Sequence, residues 1–390
     1  MSTLEWIPMF AMPNVLPQNP IEIDGIAFVA DFDDRIKALR RKYPNYDDYL
    51  NRFTNEFGRK LSTGTIMVRD DAPFLYKRVD ALGGFRDAIS IASVSKTWAH
   101  VLRFGGYMDG PRYSNTFSFY PWLLDSNYDK VATQSIAVTG INTINSFQGH
   151  SSPAISFCRL MPNMIDDALL NELLKRWARR FSTETPYWKD RALFRSLNMA
   201  NAASDLPAHA EMTQYDIGRL VALWVSAFEI LAHPPYGKNN GYKQVYTLLN
   251  SIQWRSSRNK EKRFSPYPHK KTTPRSNLPC WIYGQLNEFR NDFLHGNKIR
   301  EGHLLTKRSD RAIQSYASVL YRMALASFLK LKFTEKLKSK AGKSAYEQRK
   351  FEFEAHQGDC EIALGSICYT VEEWEDMKQG RLSPDIKKWP

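Results

Sequence analysis

Arg290, Asn291 and His295 lie in the run Arg290-Asn291-Asp292-Phe293-Leu294-His295, which Gly296-Asn297 closes. A guanidinium stays charged at any physiological pH, an imidazole titrates near neutrality, and a side-chain amide both donates and accepts hydrogen bonds. Together these groups can carry out phosphodiester transfer without a metal. His295 would take the proton from a ribose 2′-hydroxyl or give one to the leaving 5′-oxygen, while Arg290 neutralises the charge growing on the phosphorane. Asn291 would hold a phosphate oxygen or fix the imidazole tautomer. The products would carry 2′,3′-cyclic phosphate and 5′-hydroxyl ends, and DNA, which lacks the nucleophile, would resist.

The spacing sets a geometric condition. On an α-helix Asn291 and His295 share nearly one face, whereas Arg290 and His295 differ by roughly 140° and about 7.5 Å of rise. A second copy of the helix across a two-fold axis would gather two Arg, two Asn and two His around one RNA-sized cleft. The structural alternative is that His295 meets the helix's negative C-terminal end and Arg290 pairs with a carboxylate for stability.

An Arg followed by a polar residue and, four to six residues on, a His resembles the motif of the HEPN ribonucleases. Trp224-Val-Ser-Ala-Phe-Glu-Ile-Leu231 is similar to the acidic motif on an earlier helix of the Apea-like HEPN branch, and Ala192-Leu-Phe-Arg-Ser-Leu197 is similar to a segment just upstream. The resemblance covers roughly residues 165 to 335. It implies an all-α bundle, a homodimer formed through the motif-bearing helices, and Glu229 as the carboxylate that positions Arg290. It also implies an endoribonuclease of the toxin or antiviral defence kind, set off by an activator. A non-catalytic HEPN-like module that binds RNA or dimerises is the other reading of the same residues.

The elements that must position these residues follow from apolar spacing. Ile165, Leu169, Leu173, Trp177 and Phe181 predict a helix over 164–181, and Pro186 opens another through 203. Ile217, Leu220, Val221, Trp224, Phe228 and Leu231 form the clearest stripe, over 213–232, and His233-Pro234-Pro235 ends it. Shorter helices are expected over 242–254 and 279–295, the latter started by Pro279 and stopped by Gly296, and a last long one over 309–333. The first 160 residues read as an α+β region. It has helix over 33–61 broken at Pro44, strands at 64–69, 113–120 and 131–141, and helix over 81–101 despite Gly83-Gly84. The expected organisation is therefore an α+β region over 1–160 serving as a sensor or regulatory module, an all-α bundle over 161–340, and a charged tail or cap over 341–390.

With 54 Lys and Arg against 41 Asp and Glu, the net charge of +13 favours polyanionic partners. The charge is concentrated between Trp254 and Pro279, where Arg255, Arg258, Lys260, Lys262, Arg263, Lys270, Lys271 and Arg275 oppose Glu261 alone, with Phe264, Tyr267 and His269 interleaved. This is an expected RNA-binding loop, and since it leads into the motif helix it is expected to guide RNA to His295. Four dispersed cysteines exclude a disulfide framework and paired zinc knuckles. His100, His150, His209, His303 and His356 have no partner at ligand spacing, so no metal and no cofactor are expected. The first 20 residues lack the pattern of a secretory signal, and no apolar run approaches a membrane span. A cytoplasmic protein is expected.

Overall fold

In the computed structural model, the described residues are 5–104 apart from 52 and 55–57, then 113, 116–119, 122–124 and 131–133, then 158–381 apart from 207–212, 236–240, 266–274, 300–304, 307–310 and 334–342. The chain opens with β1 (Trp6–Met12), β2 (Val15–Pro17), β3 (Ile21–Ile23) and β4 (Ile26–Ala30). Asp24 and Gly25 join β3 to β4 with φ of 44° and 88°. Positive φ at both positions is the twist-matched two-residue hairpin turn that Asp-Gly favours. Helices α1 (Asp34–Lys42) and α2 (Pro44–Leu50) follow, then β5 (Gly64–Arg69), which completes an antiparallel sheet of order β1-β5-β4-β3.

All five residues of β4 are buried because the sheet is covered on both faces. Alternation sends Ile26 and Phe28 into the main core and Ala27 and Val29 into a smaller one, with Ile36, Tyr46, Tyr49, Leu50 and Phe53. The helix expected through Leu61 stops at Leu50. Beyond it Phe53 turns under the sheet, 1% exposed, and Thr54 bridges Lys60.

Helix α3 (Val79–Phe104) runs through the centre of the molecule. Its tolerance of Gly84 has a packing cause: a β-carbon there would come within 3.1 Å of both Phe181 and Phe194. Strands β6 (Trp122–Leu124) and β7 (Val131–Thr133) pair with each other, and β8 (Cys158–Leu160) runs parallel to β2. The strand expected over 113–120 is corrected, since the Thr116 amide donates to the Tyr113 carbonyl at 2.9 Å in a turn and Phe119 stacks on Phe10. Residues 134–141 of the other expected strand lie outside the described residues.

The remaining helices are α4 (Asp167–Phe181), α5 (Trp188–Asp205), α6 (Gln214–Ala232), α7 (Gly241–Asn250), α8 (Ser257–Lys260), α9 (Leu278–Leu294), α10 (Ala317–Leu329), α11 (Lys343–Gly365) and α12 (Val371–Lys378). A small antiparallel sheet followed by a mainly helical region agrees with the α+β-then-helical expectation. The core, however, shows no break near residue 160. Helix α3 packs against α4, α5, α10 and α11, and one apolar cluster extends from Phe10 to Trp374.

Of the tail or cap expected over 341–390, α11 packs on the core, burying Cys360, Ala363 and Leu364 in that cluster. Its apolar face is short and surrounded by charge, which hides its periodicity in the sequence. No helix among the described residues is long and apolar enough to cross a membrane.

Candidate functional site

Helices α6 and α9 hold the motif residues, and each has defined ends. Thr213 and Asp216 form a capping box at the start of α6, and the Asn277 side chain accepts the Cys280 amide at the start of α9. Helix α9 ends at Leu294, with His295 as its C-terminal cap and Gly296 at φ +68°. The two helices pack antiparallel, since Phe228 meets the Tyr283 ring edge-on at 5.4 Å while Phe293 lies over Gly218. A methyl group at Gly218 would run into the Phe293 ring. Gly218→Ala should therefore lower stability by roughly 1–3 kcal/mol despite the better helix propensity of alanine, read as a fall in the thermal midpoint.

The Arg290 guanidinium lies 3.8 Å from the Glu229 carboxylate across the α6–α9 seam and donates to Asn291 Oδ1 at 3.3 Å. Both partners are about one quarter exposed. Burial raises the Glu229 pKa, and the nearby Arg290 and His233 pull against that rise. A β-carbon on Gly241, the first residue of α7, would stand 3.0 Å from Glu229 Oε1, so glycine gives the carboxylate room there.

Glu229 follows Phe228, which sits beside Tyr283, so Arg290 must reach back toward the start of α9 to meet it. His295 caps the same end of α9, five residues after Arg290, and is exposed. The fold brings Arg290, Asn291 and Glu229 together. His295 follows Asn291 by one turn, its amide donating to the Asn291 carbonyl at 3.0 Å.

Beside Glu229 opens a cleft of about 530 Å³ lined by Trp188, Arg191, Ala192, Arg195, Ile230, His233 and Gly241. Arg191 and Arg195 are one turn apart on the exposed side of α5 and face the seam with α6. His233 Nδ1 sits 2.7 Å from the Pro234 carbonyl, which can only accept, so Nδ1 carries a proton. Sequence reading used His233 only as a helix terminator and missed this grouping. The available signal was the i, i+4 spacing of Arg191 and Arg195 beside that of Glu229 and His233.

No family model matches the chain, and comparisons with curated proteins and with solved structures found no significant match. The likeness to the HEPN ribonucleases therefore rests on the residues named above.

The described residues of the basic loop lie at the start of α9. Arg258 turns inward, its guanidinium 4.5 Å over the Tyr369 ring and bonded to the Tyr369 hydroxyl, and the Arg255 amide donates to Glu361 at 2.9 Å. Arg263 pairs with Glu261 at 2.6 Å. Arg255, Lys260, Lys262, Arg263 and Arg275 are exposed, while Lys270 and Lys271 lie outside the described residues. The loop enters the first turn of α9, about 18 Å along the axis from Arg290 at 1.5 Å per residue. Its described residues adjoin the end of α9 opposite to His295.

A second charged group is buried, with Asp166 and His356 at the floor of another cleft. Asp166 caps α4 by accepting the Leu169 amide at 3.2 Å, and its other oxygen accepts from Arg322 Nε at 2.8 Å and lies 3.2 Å from His356 Nε2. Cys360 Sγ lies 3.8 Å from the same His356 nitrogen but is 0% exposed, so no substrate can reach it. His150, His209 and His303 lie outside the described residues. Among the described residues no group of three His, Cys, Asp or Glu is placed to hold a metal.

Burial opposes the charge on His356, yet the Cys360 sulfur and Asp166 outweigh it and lift its pKa to about 9. A histidine raised in this way contributes stability that is fully present below the ordinary value near 6.5 and lost as pH rises from there through about 9. The thermal midpoint should fall across that window. His356→Gln should flatten the profile, and an unchanged slope in the variant would assign the fall to another group.

Proposed function

We propose that the chain is a metal-independent endoribonuclease that cleaves RNA by 2′-hydroxyl transesterification at a site shared by two copies. The observation that carries this reading is the Arg290–Glu229 pair, which joins the motif helix to the helix bearing the acidic motif at the edge of an arginine-lined cleft. Glu229 holds the guanidinium, and Arg290 neutralises the charge on the phosphorane. His295 passes the proton between the 2′-hydroxyl and the leaving 5′-oxygen. The phosphorus gains a bond to the 2′-oxygen and loses the bond to the 5′-oxygen, so no water and no metal enter the first step.

Because Arg290 and His295 differ by roughly 140° around the helix, the histidine is supplied by the second copy. Tyr215 and Leu294, 64% and 55% exposed, flank the end of the seam where Phe293 covers Gly218. They provide apolar surface for a two-fold partner beside His295.

The test is cleavage of labelled single-stranded RNA in EDTA, with a matched DNA as control. Cyclic-phosphate ends on the RNA products and intact DNA are expected. The rival reading is a non-catalytic module that binds RNA or dimerises, and RNA bound but uncut would establish it. By resemblance alone the biological role is a toxin or antiviral effector with an activator, and the α+β region is its sensor.

A further inference from the structure

The cleft beside Glu229 contains more positive charge than an arginine-orienting carboxylate requires. Arg191 and Arg195 project from successive turns of α5, and both are exposed on the cleft wall. Among the described residues no carboxylate pairs with either guanidinium, although other surface arginines do pair, as Arg179 does with Asp190 at 2.6 Å. Among the described lining residues Glu229 is the acidic one, and it already faces Arg290. The half-buried Trp188 begins the same helix face, three residues before Arg191. Two forked guanidinium groups spaced by one helical turn, beside an aromatic ring and a histidine, suit consecutive phosphates with one stacked base.

We infer that Trp188, Arg191, Arg195 and His233 form a binding subsite for single-stranded RNA, in which the arginines take the phosphates next to the scissile one and Trp188 stacks the attached base. The inference rests on the ribonuclease reading for its ligand. It assigns RNA entry to the α5–α6 face, which the sequence had assigned to the loop over 254–279. Arg195 falls within the Ala192-Leu-Phe-Arg-Ser-Leu197 segment, whose resemblance carried no role for it.

The test is binding of a fluorescent 2′-O-methyl oligonucleotide to the full chain by anisotropy. That probe cannot supply the nucleophile, so the readout does not depend on cleavage. Arg191→Glu/Arg195→Glu should weaken binding at least tenfold on the order expected for lost phosphate contacts, and should lower the salt dependence by roughly 0.7 in log–log slope per contact. Trp188→Ala should weaken it by roughly tenfold with the salt slope unchanged. Lys262→Glu/Arg275→Glu, in the loop at the far end of α9, should change it little. Both arginines are exposed, so melting curves near that of the parent protein are expected for the double variant.

Unchanged affinity in the α5 variant, a larger loss in the loop variant, or a parent protein that binds no oligonucleotide would each overturn the inference. A parent protein that binds through Arg191 and Arg195 but leaves natural RNA uncut would instead remove the ribonuclease reading and leave the subsite standing.

Discussion

Asp166→Ala should destabilise the protein more than any other single substitution proposed for it, by roughly 3–5 kcal/mol, because it leaves two cationic groups buried without their counter-ion. Arg322 is 0% exposed, and its guanidinium depends on Asp166 and Gln357. Arg322 and His356 hold the Asp166 carboxyl well below the usual carboxylate range despite complete burial, which marks it as the fixed charge of the group. The same carboxylate ties the start of α4 to α10 and α11, so the three helices lose their common anchor and α4 loses its cap.

Chemical denaturation should show a lower midpoint with a similar slope. Asp166→Asn, which can keep the cap hydrogen bond but not the charge, should recover only a small part of the loss. Recovery to near parent stability in Asp166→Asn would mean that the cap, and not the charge, holds these helices.

Arg290→Ala should lower RNA cleavage by roughly 10²–10³-fold, the range for removing one preorganised group that stabilises transition-state charge. Stability should change little by comparison, since the Arg290–Glu229 contact at 3.8 Å is partly exposed and such pairs contribute about 1 kcal/mol or less. The two readouts separate a catalytic role from a structural one. Glu229→Gln should give a smaller loss, because a neutral amide can still accept from the guanidinium but no longer attracts its charge. Equal losses of activity and stability in Arg290→Ala would reduce the pair to a helix staple.

The helices around the site were legible because their apolar residues recur at helical spacing over four or more turns, as from Ile217 to Leu231. The pairing of Glu229 with Arg290 was legible for a related reason. A carboxylate near an apolar stripe needs a partner, and the fold supplies the expected one at the expected seam.

The sequence hid two further features. The contacts around α3 and the Asp166–Arg322–His356 group join residues far apart in the chain, 190 positions for Asp166 and His356, and α11 gave no sign of burial because its surface charges outnumber its few core residues. Sequence adjacency to α9 conceals a geometric distance: the described ends of the basic loop adjoin its first turn, and the motif occupies its last. His233 was overlooked because the prolines after it fully accounted for the helix end. The Asp24-Gly25 hairpin went unread, although its dipeptide carries the turn signal.

The central claim is that Arg290 of one copy works with His295 of another. It is tested most directly by mixing Arg290→Ala and His295→Ala proteins, each inactive alone, under conditions that allow subunits to exchange, with RNA cleavage followed in EDTA. A shared site predicts that random pairing restores about a quarter of parent activity, because half the dimers are mixed and each mixed dimer regains one of its two sites. A mixture as inactive as its components, beside a parent protein that cuts RNA, would place Arg290 and His295 in one protomer's site and contradict the account.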